Sequence, residues 1–330
     1  MTTDVVLTLD ETGSPARWRS PGARALRSLL KKKIACVAIV YLTIFYGAGL
    51  FAPLVVPALG LPSPYEQNRT LGEVRAGPSR EHPLGTDTLG RDMAARVIYS
   101  ARTTVLFTIV VLITGGLFIG LGLGLLAGYR GGWVDTLIMR VGEVFSGLPT
   151  LFIMLALSAA FRTRIDDLIF WFKDKTFLAD DSRAIVQFLL IAMVTVPFAW
   201  VGSSRIVRSQ TLSIRESGYV EAAELMGAGT WRVVTRHILP GVMPLFLVGL
   251  SGGMAAIAGS EVALSFLGLG ISPPTASFGT MIGDGAGIRA FQAYPHLLLD
   301  AALPVMVFFF AWNLLGDALV DVLQPKQHTA

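Results

Sequence analysis

Six stretches of the chain run for 16 to 23 residues without a charged side chain: residues 34–56, 105–126, 144–161, 184–204, 238–260 and 301–316. Crossing the hydrocarbon core of a bilayer takes about 20 apolar residues in helical form. The third and sixth runs are short, but each extends past one flanking acid, Glu143 for the third and Asp300 or Asp317 for the sixth. The pattern predicts an all-α integral membrane protein with six transmembrane helices. Barrel strands are excluded by the length of the runs, and only helices and closed barrels satisfy every backbone polar group in lipid.

Composition agrees. Of the 330 residues 53% are hydrophobic and 15% charged, and mean hydropathy is +0.61; a soluble domain carries about 25% charged residues. The net charge of +4 is small, and the basic residues sit beside apolar runs, which argues for membrane orientation and against a nucleic-acid footprint. Arg17, Arg19, Arg24, Arg27 and Lys31 to Lys33 precede the first run, against Asp4, Asp10 and Glu11. Such a cluster stays in the cytoplasm. An even number of spans then places both termini there, as expected for a multi-pass membrane protein. The first run is too long for a signal-peptide core and reads as an uncleaved anchor. The single cysteine, Cys36, lies within that run and excludes an intrachain disulfide.

On this orientation residues 1–33 are a cytoplasmic basic segment, and 57–102 an external segment containing HPLGTDTLGRD, residues 82–92. Residues 103–323 hold the other five spans, and 324–330 form a cytoplasmic tail. Residues 93–102 are expected to form a short interfacial helix, and Pro149 to kink the third span. The external insertion 162–183 carries five basic and five acidic residues, so no retention signal. Its LIFWF run beside Lys173 and Lys175 is either a helix lying in the interface or the core of a folded loop. Gly116, Gly120 and Gly124 recur every fourth residue and form one smooth helical face. That face packs either against another helix of this chain or against a second membrane subunit.

Several chemistries find no residues to carry them. None of the lysines, Lys31, Lys32, Lys33, Lys173, Lys175 and Lys326, closes a phosphate-cradling G-x-x-x-x-G-K-[ST] loop. His82, His237, His296 and His328 lie in loops or at span ends, without metal-ligand spacing. No nucleophile motif occurs, and an enzyme is not expected. Ion-coupled transporters and channels display ionisable residues deep in their spans. Here Glu261 and Asp300 lie at the outer ends of runs, as boundary residues or as part of a translocation cavity or outer gate. A transporter without coupling residues or a nucleotide site takes its free energy from a partner.

The stretch EAAELMGAGTWRVVTRHILP, residues 221–240, sits between the fourth and fifth runs, on the cytoplasmic side. Its pattern predicts a short helix over 218–226 ended by Gly227, whose conformational freedom suits a left-handed C-cap. Thr230 is placed to cap a second helix with its hydroxyl, and Pro240 to close it. Trp231, Val234 and Ile238 would share one face, with Arg232 and Arg236 on the other. Ala222 and Ala223 put little bulk on the surface, and Glu221 and Glu224 offer charge to a groove on another protein.

This stretch resembles the EAA loop of ABC-importer membrane subunits, EAA-x3-G-x9-I-x-L-P. Glu221, Ala222, Ala223, Gly227, Leu239 and Pro240 match in register, while His237 takes the isoleucine position and Ile238 follows it. HPLGTDTLGRDMAARVIYSARTT, GYRGGWVDTLIMRVGEVFSGLPTLF and EVALSFLGLGISPPTASFGTMI resemble segments of dipeptide, oligopeptide and nickel permeases, most closely the C-type subunit. The resemblance covers residues 30–325, and the insertion around 168–181 is longer than the family pattern. It implies a type I importer permease fold, a second homologous permease, two ATPase subunits that bind ATP and Mg, and an external substrate-binding protein. It also implies that residues 218–226 are the helix coupling ATP hydrolysis to alternating access for peptides, with nickel or another small solute as the alternative substrate. No cofactor is expected in this chain. An ion-coupled transporter or channel acting alone is the competing class, and the nearly uncharged spans disfavour it.

Overall fold

The computed structural model describes residues 27–70, 72–175 and 182–323. Most of the basic N-terminal segment, the centre of the external insertion and the 324–330 tail lie outside them. Among the described residues the regular structure is helical, with one isolated bridge between Thr86 and Asp92. Five helices are long and apolar enough to span a membrane, and a sixth span forms if one sharply bent pair counts as one.

Helix α1, Lys33–Leu50, buries Ala35, Ala38, Leu42, Phe45 and Gly49 along one stripe. On its other side Ile34, Val37, Val40 and Ile44 stand 58–70% exposed. A helix apolar on every face is at home in lipid, not in water. The run 34–56 does not form one helix. Phe51 leaves helical geometry (φ −98°, ψ 19°), and Pro53 has no N–H to give the carbonyl of Gly49. A separate short helix, α2, Ala52–Ala58, begins with that proline in its first turn, where the N–H is dispensable.

The second run belongs to a longer element. Helix α3, Met93–Arg130, has 38 residues, about 57 Å at 1.5 Å per residue, nearly twice the roughly 30 Å hydrocarbon core. Residues 93–102 are its first turns and not an interfacial helix. They are packed inside the protein, with Ala95, Arg96 and Ser100 at 0–1% exposure. The preceding loop fixes this start. Asp92 Oδ1 accepts the Ala95 N–H at 2.7 Å as an N-cap, while its Oδ2 meets His82 Nδ1 at 2.9 Å. Asp87 accepts the N–H groups of Leu89 and Arg91 and the guanidinium groups of Arg91 and Arg96. A buried charge group of this kind is tolerable because it is both paired and hydrogen-bonded.

Helix α4, Gly132–Gly147, and helix α5, Thr150–Lys175, meet at 86°. The expected kink is thus a full break. Leu148 takes the extended geometry (ψ 143°) that a following proline favours. The LIFWF segment lies on the helical backbone of α5 and is no separate element. Helix α6, Ser182–Arg215, continues 11 residues past the end of its apolar run at 204. After the corner described below, helix α8, Thr230–Phe266, α9, Phe278–Gly285, and α10, Ile288–Ala293, lead to α11, Pro295–Leu323. The sixth span thus extends past both acids that flank its uncharged run, with Asp300 and Asp317 within α11.

Helix α6 is the centre of the bundle. Gly115, Gly120, Gly124 and Gly128 of α3 lie over Ala199, Ser203, Val207 and Thr211 of α6, so close that an added Cβ would stand 2.6–2.9 Å from those side chains. The first step is five residues because residues 112–121 of α3 are wound as a π-helix. Gly116, which a uniform α-helix would put in this row, lies nearest Leu250 of α8, 3.2 Å from its Cδ2. On the α8 side of α6, Ile214 and Ile206 press onto Gly241 and Gly249. A second core joins α1, α3, α9 and α11, where Phe45 lies 4.6 Å from Phe308 and 6.0 Å from Phe278 between ring centroids.

Gly124→Leu is expected to force α3 off α6 and to lower the melting temperature of the detergent-purified protein by about 5 °C. Gly122→Leu, two residues away with nothing within 4 Å, should shift it by less than about 1 °C. Equal shifts would refute the close packing.

Candidate coupling corner

Between α6 and α8 the chain turns through helix α7, Gly218–Leu225. Ser217 provides the start with an extended backbone (φ −79°, ψ 141°), and its carbonyl accepts the N–H groups of Val220 and Glu221. The end is a Schellman arrangement: Gly227 takes φ +85°, its N–H reaches Glu224 O at 2.9 Å, and Ala228 N–H reaches Ala223 O at 3.0 Å. Any side chain at Gly227 would be strained in that left-handed conformation.

Helix α8 starts without the expected threonine cap. Gly229, extended (φ −67°, ψ 155°), is its N-cap, and Thr230 is its first residue, with no side-chain cap. Nor does Pro240 close a helix. The chain runs unbroken from Thr230 to Phe266, and residues 234–238, just before the proline, are π-wound. Pro240 lacks an N–H and its ring crowds the carbonyl four residues back, which the wider turn accommodates. The π turn also resets the buried face. Val233 and Ile238, five residues apart, are both fully buried, whereas Trp231 is 80% exposed. The expected Trp231–Val234–Ile238 face rests on uniform α-helical winding, which this segment does not have.

The corner is fastened to three long helices. Val220 packs with Val207 of α6 and Val233, Ile238, Val242 and Phe246 of α8, with Leu121 and Leu125 of α3 alongside. Polar ties add to this. Tyr129 at the end of α3 donates its hydroxyl to Glu224 Oε1 at 3.0 Å, and Arg215 Nη1 donates to the Tyr129 carbonyl at 2.8 Å. Nearby, Arg208 of α6 grips Asp135 of α4 with two guanidinium nitrogens.

Ala223 faces inward, 4% exposed, and does not join the outer surface; Glu221, Ala222 and Glu224 are exposed. What the sequence reading missed is how apolar the tip is. Leu225 and Met226 are 83% and 82% exposed, beside Tyr219 at 53% and Trp231. All four lie outside the EAA letters, Tyr219 and Leu225 at the two ends of α7 and Met226 and Trp231 beyond it. The signal available was four large apolar residues within 13 positions of an otherwise polar loop. A contiguous exposed patch of such residues marks an interaction site.

Glu261 and Asp300 occupy the other end, some 32 Å along α8 from Pro240 at 1.5 Å per residue in the case of Glu261. Glu261 is fully buried. Its carboxylate accepts hydrogen bonds from Thr104 of α3 (3.1 Å), Ser265 (3.0 Å) and Ser277 (2.8 Å). It holds α3, α8 and the segment leading into α9 together. Asp300 lies in the second turn of α11, with Oδ2 buried and unpartnered among the described residues. Neither lines the cavity of about 440 Å³ between α5, α6 and α8, whose wall includes Thr150, Met154, Thr195, Phe198 and Ser260. These small and apolar residues carry no sequence signal of their own.

Residues 120–329 match the family model of the binding-protein-dependent transport system inner membrane component. The chain belongs to that family. It is a multi-pass membrane transport component. It is 31% identical to a dipeptide transport system permease protein of Alkalihalophilus pseudofirmus over 93% of this chain and 90% of that one. It is 33% identical to the dipeptide permease of Bacillus subtilis, over 92% and 85%, and 29% identical to a glutathione transport system permease protein of Pectobacterium atrosepticum, over 93% and 92%. The matched region includes α6, the corner and all of α8, and so contains the tip described above.

Val220→Asp puts a charge where exposure is 0% and is expected to cost several kcal/mol, abolishing the folded protein in detergent. Leu225→Asp at the exposed tip should leave the melting temperature within about 1 °C of wild type. A destabilised Leu225→Asp would mean that the tip is part of the core.

Proposed function

We propose that this chain is a permease subunit of an ATP-driven importer that moves peptides across a bacterial inner membrane by alternating access. The observation that carries the reading is the construction of the corner. Its inner side is fused to α3, α6 and α8, while its outer tip leaves Leu225, Met226 and Trp231 at least 80% exposed, with Tyr219 half-exposed beside His237. A body gripped at that tip takes three long helices with it. Energy enters only through a difference in the partner's affinity between two arrangements of those helices. In this reading the partner is an ATPase subunit, one of two that hold the ATP and Mg. Glu221 and Ala222 lie on the docking face, Ala223 and Gly227 shape the helix, Glu224 ties it to α3, and Pro240 lies at the foot of α8. The corner is then cytoplasmic, and both termini with it.

The remaining partners follow from the family: a binding protein that delivers substrate, and a second, homologous permease that completes the path. The peptide assignment is supported by the names of the dipeptide relatives; the glutathione permease carries a peptide derivative in its name as well.

Co-expression of this chain with its cognate permease and ATPases provides the test. Leu225→Asp with Met226→Asp should remove two interface anchors, each worth about 2 kcal/mol. The expected result is a normal amount of permease in the membrane, with ATPase recovery and peptide-stimulated ATP hydrolysis reduced at least about thirtyfold. Gly227→Pro, which cannot take the positive φ, should do the same through the shape of α7. Wild-type hydrolysis in both variants rules out the corner as the docking point.

A further inference from the structure

Helix α4 has three faces. One turns to α6: a Cβ on Gly142 would lie 3.3 Å from Val201 Cγ1, and Asp135 is held by Arg208. The second is apolar and exposed, with Trp133 at 75%, Leu137 at 54% and Val144 at 65%. The third is polar and exposed. Thr136, Arg140 and Glu143, at steps of four and three, form one stripe along the helix. Arg140 Nη1 donates to Glu143 Oε2 at 2.8 Å, yet the two side chains remain 75% and 54% exposed.

The depth of this pair makes the exposure informative. Helix α4 is the first half of the broken span, and Gly142 rests on Trp200 and Val201 of α6, beside Ala199, which lies on Gly115 at the centre of the uncharged run 105–126 of α3. Ionisable groups at such a level face a bundle interior or a water-filled cavity, not hydrocarbon. As an element of helix stability an exposed i,i+3 pair contributes little. Seven residues after Glu143, across the break, Thr150 begins the wall of the cavity of about 440 Å³, whose polar lining also includes Thr195 and Ser260. The chain thus passes from a charged pair to a mainly apolar hollow with three hydroxyl groups in its wall, on neighbouring halves of one span.

We propose that the stripe of Thr136, Arg140 and Glu143 lines the aqueous translocation path, and that Arg140 and Glu143 form a transit site for a zwitterionic substrate. The Arg140 guanidinium takes the substrate's carboxylate, and the Glu143 carboxylate takes its ammonium group. This rests on the peptide reading given above, since an unmodified peptide carries one charge of each sign at its ends. Planar guanidinium matches carboxylate in a two-pronged hydrogen bond. The exchange is self-balancing: when the substrate arrives, each member of the protein pair swaps its partner for the opposite end of the peptide, and the protein pair re-forms when the peptide leaves. No charge is stranded at either stage. Binding stays weak for the same reason, and a path needs sites that release.

The test uses the assembled complex with Cys36→Ser as background and single cysteines at positions 136, 137, 140, 143 and 144, labelled with a cationic, membrane-impermeant thiol reagent. Arg140→Cys and Glu143→Cys should react at least about tenfold faster than Leu137→Cys and Val144→Cys. Addition of binding protein with a mixture of di- to pentaalanine should slow Thr136→Cys, which keeps both Arg140 and Glu143, by a factor of about ten, the range of one charge-assisted hydrogen bond. In parallel, Arg140→Gln should cut uptake of those peptides about tenfold, and Arg140→Lys should retain most of it. Equal reactivity on the two exposed faces overturns the path. Reactivity unchanged by peptide, or unimpaired uptake by Arg140→Gln, in a complex whose wild type responds to the peptides overturns the transit site alone. A wild-type complex whose ATPase ignores every peptide overturns the substrate class on which both the proposed function and this site depend.

Discussion

Helices α3 and α6 touch almost backbone to backbone over four glycines, and the placement of the corner follows from that contact. Between helices in lipid there is no hydrophobic drive to associate, so close packing of small residues has to supply the attraction. Gly115, Gly120, Gly124 and Gly128 lie over side chains of α6 at regular steps of four, with the carbonyls of Val196, Trp200, Ser204 and Arg208 facing them. At 3.6 residues per turn a five-residue step in place of four would swing Gly115 about 100° off the row. The π winding of residues 112–121 brings it back. With α8 seated on α6 through Gly241 and Gly249, the three helices that bear the corner have little freedom to slide past one another.

The same device recurs at the corner. Five residues separate Val233 from Ile238, and a π turn keeps both against the core while the helix runs on past Pro240. A proline that ended the helix would leave a joint between the tip and the fifth span. The unbroken α8 has none across its 37 residues. At the far end of α8, Glu261 fastens α3 and the loop before α9 to the same helix through three hydroxyl groups. A displacement at the tip therefore reaches the opposite end through continuous helix and hydrogen-bonded contacts.

Much of this was legible in the residues. Uncharged runs located the long helices because lipid tolerates little else, and Gly227 signalled the end of α7 because few other residues accept its backbone angles. What escaped has a common cause. Helical periodicity assumes 3.6 residues per turn, so the reading chose Gly116 where the structure uses Gly115, and put Trp231 on the buried face. The roles of Glu261 and Asp300 depend on groups brought from elsewhere in the chain, Thr104 and Ser277 among them, and no local pattern announces a buried, fully hydrogen-bonded carboxylate. Proline at 149 signalled a disturbance but not its size, since the angle is set by how α4 and α5 each pack on α6. Charge patterning was more informative than it first appeared to be: Glu143 was read as the edge of a span, and in the structure it sits on an exposed polar stripe with Arg140.

The claim on which the account turns is that the corner and α3 move as one body. Its most direct measurement is the distance between spin labels at position 225, on the exposed tip, and position 122, on the open face of α3, in the assembled complex without nucleotide and with ATP trapped. A rigid lever predicts one narrow distribution whose centre moves by less than about 2 Å, the scale of packed-helix adjustments, while hydrolysis stays responsive to substrate. A shift of about 5 Å or more, the length of one helical turn, would show the tip moving independently and contradict the account.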